Sequence, residues 1–102
     1  IAAEKGTRIR AAGEGTVVFS GWTPGYGNLI ILNHDNGYYT YYGHASRLIV
    51  RIGDNVKKGR VIGLVGSSGI SSAPHLHFEV WKKGQPVNPQ ELLYAHTKEK
   101  SQ

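Results

Sequence analysis

With 102 residues, the chain has room for one domain; twelve Lys and Arg against seven Asp and Glu give it a formal net charge of +5. Cysteine and methionine are both absent, which excludes disulfide staples, thiolate metal sites and cysteine nucleophiles. No apolar run reaches the length of about 18 residues that a membrane-spanning helix needs, and no signal peptide opens the chain. The start at Ile1-Ala2-Ala3 is expected to be internal to a longer protein.

Fourteen glycines, about twice the usual share, are spread along the chain and punctuate short runs of Val, Ile, Tyr and Leu. That is the pattern of many short strands joined by tight turns. Extended runs are predicted over 8–11 and 16–22, parted by Gly13-Glu14-Gly15. Runs over 28–34 and 38–43 flank Asp35-Asn36-Gly37, a hairpin signal because these residues tolerate positive φ. A strand over 48–50, a loop through Gly53-Asp54-Asn55 and a continuous apolar strand over 61–65 follow. A strand over 76–81 ends in a turn at Lys83-Gly84-Gln85-Pro86. Helical signal is confined to Asn88-Pro89-Gln90-Glu91-Leu92-Leu93, where Asn caps and Pro takes the first helical position. Residues 95–102 are polar and read as a flexible tail. The segment 12–18 echoes 58–63, each a turn feeding a β-branched strand, which suggests a folded-over sandwich or barrel of two similar halves. The fold class is all-β.

The most informative chemistry lies in Pro74-His75-Leu76-His77-Phe78-Glu79-Val80. Its apolar members alternate with His75, His77 and Glu79, so a strand there puts the three polar side chains on one face. Two imidazoles at i and i+2 stand roughly 7 Å apart along the chain. One can hold a metal while its neighbour reaches a bound water or a substrate. His44, in Tyr41-Tyr42-Gly43-His44-Ala45-Ser46, ends a Tyr-rich strand and adds a third imidazole. Zinc suits an imidazole cluster without cysteine, whereas calcium and magnesium want more carboxylates. His34, at the start of the hairpin, reads as structural, and His96 falls in the tail.

Several motifs in order resemble the M23 family of bacterial peptidoglycan endopeptidases, the lysostaphin-like or LytM domain. They are Ala2-Ala3-Glu4-Lys5-Gly6-Thr7, residues 11–17, Gly27-Asn28-Leu29-Ile30-Ile31, residues 34–37, Tyr42-Gly43-His44, residues 53–59, Gly66-Ser67-Ser68-Gly69, residues 74–79 and Val87-Asn88-Pro89. The resemblance runs over about residues 1–93 and places the domain at 1–94, incomplete at its N-terminus, with 95–102 as tail. It implies a mostly antiparallel β-sandwich or barrel-sandwich hybrid, ending in a short helical turn.

By position, the resemblance makes His77 a zinc ligand and His44 and His75 the catalytic histidines. Bound zinc would lower the pKa of its water and polarise the scissile carbonyl. One imidazole would take the water's proton and the other would donate to the developing oxyanion. Tyr26, Asn28 and Tyr42 are expected to line the substrate groove, with 21–26 and 67–74 as its walls. The departure is at the zinc: two of the family's three protein ligands come from a His-x-x-x-Asp motif that should precede Ala2-Ala3, and this sequence does not contain it. His34 and Asp35 are no substitute, since neighbours in a strand point to opposite faces. The resemblance therefore implies a zinc endopeptidase in the intact parent, with the 102 residues inactive alone. The alternative is a degenerate, metal-free LytM-type domain that binds wall or activates other hydrolases. The implied partners are peptidoglycan stem or bridge peptides and a regulatory envelope protein, outside the cytoplasmic membrane, in the periplasm or beyond the cell.

Other classes fit less well. A biotin or lipoyl carrier wants a lysine at a hairpin tip, and the tips here hold Gly13-Glu14-Gly15 and Asp35-Asn36-Gly37. The basic residues are scattered and no nucleic-acid module is present, so the charge reads as solubility and loose attraction to an anionic envelope.

Overall fold

The structure is a computed structural model and describes residues 4–66 and 75–88. Eight strands form within them: β1 Arg8–Arg10, β2 Gly15–Thr23, β3 Gly27–Asn33, β4 Tyr38–Leu48, β5 Asn55–Val56, β6 Val61–Val65, β7 His77–Lys82 and β8 Gln85–Val87. Every pairing is antiparallel. The strands make one curled sheet in the order β1-β6-β4-β3-β2-β5, with β7 added to β4 and β8 to β7. The predicted all-β, antiparallel class is what forms. No helix occurs among the described residues; the short helical turn over 88–93 and the tail over 95–102 fall outside them, apart from Asn88.

Strand β4 organises the sheet. One edge pairs with β3, and the other changes partner, from β7 over residues 38–43 to β6 over 45–48. His44 is the residue between the two pairings. The sequence suggested a break after Gly43; the strand instead runs on to Leu48, bent by register shifts against both β3 and β6.

The core is the inner face of this curl. Ile9, Val17, Ile30, Leu32, Tyr42, Val56 and Ile62 are fully buried, and Leu48, Leu76 and Phe78 pack against them. Burying such an aliphatic or aromatic side chain contributes about 1.5–3 kcal/mol. The β3–β4 hairpin turns through Asp35, Asn36 and Gly37, all at positive φ (69°, 55° and 80°), as their residue types allow. His34 fastens this hairpin to the turn before β2. Its Nδ1 lies 2.8 Å from the Glu14 carbonyl oxygen and its Nε2 2.6 Å from the Thr40 hydroxyl. That hydroxyl is 2.8 Å from the Tyr42 phenol, which accepts the Ala12 N–H at 3.0 Å. A carbonyl only accepts, so Nδ1 carries the proton in this arrangement.

Candidate functional site

The register of β4 against β7 sorts the side chains by face. Thr40 opposes Val80 and Tyr42 opposes Phe78, and these look into the core. Tyr39 opposes Trp81, Tyr41 opposes Glu79 and Gly43 opposes His77 on the other face. Strict alternation would send residue 44 to the core beside Tyr42. A bulge prevents this. Ile30 pairs with Tyr42 but Asn28 pairs with Ala45, so β4 carries one extra residue there. His44 adopts the left-handed region at φ 61°, and its ring emerges on the histidine face. Its centroid lies 4.8 Å from the His75 ring and 5.8 Å from that of His77. Gly43 makes room for this: a Cβ there would lie 3.1 Å from Tyr26 Cδ1 and 3.5 Å from His77 Cβ.

Backbone contacts hold the cluster in place. The His44 N–H donates to the Tyr26 carbonyl at 2.8 Å. Gly66 donates its N–H to the His44 carbonyl and accepts that of His75, both at 3.1 Å, so one residue ties the two histidines together. His44 is 9% exposed, whereas the His77 side chain is 43% exposed, so the cluster has a sheltered member and an open one.

Glu79 gathers the donors around His77. Its Oε1 accepts the Tyr26 hydroxyl at 2.8 Å and Trp81 Nε1–H at 2.9 Å, and its Oε2 lies 2.5 Å from His77 Nε2. Burial by itself pushes the Glu79 carboxyl up, but the hydrogen bonds from Trp81, His77 and Tyr26 outweigh it and hold the group below its ordinary value. Tyr26, Tyr41 and Trp81 form an aromatic ladder beside it, with centroids 5.9 and 5.5 Å apart. Burial, with Glu79 next in effect, raises the Tyr41 phenol. Pro24, Gly25, Tyr26, His44, His77 and Glu79 enclose a hollow of about 260 Å³. A larger hollow of about 500 Å³ lies beside Glu14, Thr16, His34 and Lys57, but its one imidazole already has both nitrogens engaged. The chemistry therefore belongs to the smaller one.

The phenol of Tyr26 supplies a pH prediction. Burial first, then its hydrogen bond to Glu79 and that carboxylate's charge, push it from 10.0 up to about 12. The folded chain thus holds this proton more tightly than the unfolded chain. The resulting stability is whole below pH about 10 and is lost as pH rises towards about 12. Thermal melts across that window are expected to show a steeper alkaline loss for the wild type than for Tyr26→Phe. An identical slope in both would remove the Tyr26–Glu79 pair from the account.

The structure brings the His44, His75 and His77 rings and Tyr26 into one neighbourhood, and it sets two of the three expected groove residues, Tyr42 and Asn28, apart from the hollow. Tyr42 is 1% exposed, with its hydroxyl bonded to Thr40 and to the Ala12 N–H; it belongs to the core and cannot touch a substrate. Asn28 donates to the Ala45 carbonyl at 3.1 Å, which braces the bulge, and does not line the hollow. The proposed wall over 67–74 lies outside the described residues. Glu79, which the strand alternation already put on the face of His77, and Trp81 two residues on complete that face, and their part in holding His77 is what the sequence left unread. Among the described residues no three His, Cys, Asp or Glu side chains are placed to hold a metal. A catalytic zinc needs three protein ligands and an open position. The described residues alone therefore do not fit zinc.

A curled antiparallel sheet here sets a His-x-His pair, whose second member opens β7, against a third, bulge-borne histidine. The chain belongs to peptidase family M23, which it matches over residues 1–89. It is 49% identical over 88 residues to the DD-carboxypeptidase/endopeptidase Mpg of Neisseria meningitidis, covering 86% of this chain and 20% of that protein. It is 40% identical over 93 residues to the murein hydrolase activator EnvC of Escherichia coli, covering 91% and 22%. Its fold matches the catalytic domain of the antimicrobial peptidase lysostaphin from Staphylococcus simulans at a TM-score of 0.84 and 36% identity, covering 91% of this chain and 74% of that one. The chain spans about a fifth of the length of the curated relatives it matches.

Proposed function

We propose that this chain is the histidine-bearing portion of a zinc metalloendopeptidase that hydrolyses peptide cross-links of bacterial peptidoglycan in the periplasm or outside the cell. The observation that carries the reading is the clustering of three imidazoles: the His44 ring lies 4.8 Å from that of His75 and 5.8 Å from that of His77, and His44 and His77 line one hollow. His44 and His75 divide two tasks between them: one takes a proton from the attacking water, the other donates to the carbonyl oxygen as charge develops. Tyr26 and the exposed side of His77 border the space a stem or bridge peptide would occupy. Zinc would bind through His77 and two further ligands, which none of the described residues places beside it.

A second reading is favoured by the relatives named as murein hydrolase activators and by the absence of a three-ligand group among the described residues. In that reading the domain binds wall or an envelope hydrolase and cuts nothing itself. Zinc content and chelator-sensitive release of peptides from purified peptidoglycan, measured on the intact parent and on these 102 residues, separate the two. Near-stoichiometric zinc and release by the parent alone are expected. No zinc and no release in either would sink the peptidase reading and leave the activator.

A further inference from the structure

Glu79 receives three side-chain donors and divides them unequally. Oε1 takes two, Tyr26 Oη at 2.8 Å and Trp81 Nε1 at 2.9 Å, while Oε2 faces His77 Nε2 alone at 2.5 Å. An ionised carboxylate has acceptors only, so the nitrogen it faces must carry a proton. In the neutral ring Nδ1 then holds the lone pair. Trp81 is the asymmetric element, because an indole N–H can donate and never accept, whereas the Tyr26 hydroxyl can do either. Tyr41 stacks on Trp81 at 5.5 Å and 28° and packs against Tyr26 at 5.9 Å, which steadies both donors.

We propose that Glu79 is a positioning residue that places the His77 proton on Nε2 and leaves Nδ1 as the available lone pair, with Trp81 holding the carboxyl oxygen that faces away from the histidine. This deepens the peptidase reading, and rests on it only for what Nδ1 would bind. A carboxylate that fixes the tautomer of a ligating histidine also raises the ligand's basicity. The same arrangement would serve a histidine that accepts a hydrogen bond from a substrate amide.

The division of donors makes the outcome of a one-atom change specific. In Glu79→Gln the single amide oxygen must serve Trp81, so the NH2 group turns to His77. Nε2 then has to accept, and the proton moves to Nδ1. Adding Trp81→Phe removes the obligatory donor, lets the amide oxygen turn back to His77 and restores the Nε2–H form. Tyr26 tolerates either orientation.

The ring nitrogens of His77 in the 15N-labelled 102-residue chain, observed by NMR where the imidazole is neutral, test this directly. The expected results are Nε2–H in the wild type, a shift of the tautomer ratio by about tenfold or more towards Nδ1–H in Glu79→Gln, and return in the double variant. A wild type with Nδ1–H, an unshifted Glu79→Gln, or a double variant that does not return overturns the proposal. Should Glu79→Gln not fold, Trp81→Phe alone keeps the carboxylate and is expected to retain Nε2–H; loss of that form there overturns the proposal as well. Zinc titration of the intact parent, read at Nδ1, reports separately on the peptidase reading. No zinc response with the tautomers as expected overturns that reading and leaves the role of Glu79 standing.

Discussion

Replacing His44 by alanine in the intact parent is expected to lower peptide release from peptidoglycan by about a hundred- to ten-thousand-fold, the range for losing a positioned proton-transfer group. The argument rests on how much backbone irregularity is spent on aiming this one ring. Strand β4 carries an extra residue, His44 sits at φ 61°, and a glycine precedes it where a Cβ would press on Tyr26 at 3.1 Å. Strain of this kind persists only where the surroundings hold it in place. Alanine suffers the same left-handed conformation as histidine, so the backbone penalty is common to both and folding is expected to survive. Asn tolerates that conformation better and transfers no proton, which makes His44→Asn the sharper variant: stability retained, activity lost. His75→Ala is expected to cost about as much, and the double variant little more than either single change, because groups that act as a unit are not additive. Single variants that keep activity within a few-fold of wild type would remove the histidine pair from the chemistry.

Much of this architecture is legible in the sequence. The alternation through 74–80 puts His75, His77 and Glu79 on one face; register with β4 places His77 and Glu79 there, and the His75 ring stands against that of His44. Asp35-Asn36-Gly37 announced its hairpin because those residue types accept the positive φ they adopt. Tyr42 was misplaced for a physical reason. Among five tyrosines near the site, composition cannot say which face each takes, and the answer lies in the pairing of Tyr42 with Phe78 and in the Ala12 N–H that its hydroxyl satisfies from thirty residues away. The bulge at His44 was equally hidden. Its position depends on β4 having β7 and β6 as successive partners, a long-range fact that no local pattern encodes. Glu79 was seen as a polar strand residue, and its three donors come from β7 itself and from the turn before β3.

Gly66→Ala is expected to be the most damaging single methyl that can be added to the described residues near the site. A Cβ at Gly66 would lie 2.5 Å from Ser46 Cβ, 2.6 Å from Ser46 N and 2.7 Å from Ser46 Cα. Two of those three atoms are backbone of the strand that carries His44, so no rotamer relieves the clash and the end of β6 must move away from β4. Overpacking a tight site costs typically 1–3 kcal/mol, and a contact with immovable backbone falls at the top of that range. About 3 kcal/mol lowers the melting temperature of a domain of this size by about 12–24 °C. Ser46→Gly is expected to give no rescue, since it removes the contact at Cβ and leaves the two backbone contacts. The damage should also reach the chemistry, because Gly66 bonds to the backbones of both His44 and His75. At a temperature where the variant is still folded, the proton–proton Overhauser contact between those two rings is expected to weaken or vanish. Melting within about 2 °C of wild type would show that β6 and β4 are not packed this closely at Ser46, and the account of what holds the histidine pair together would fall with it.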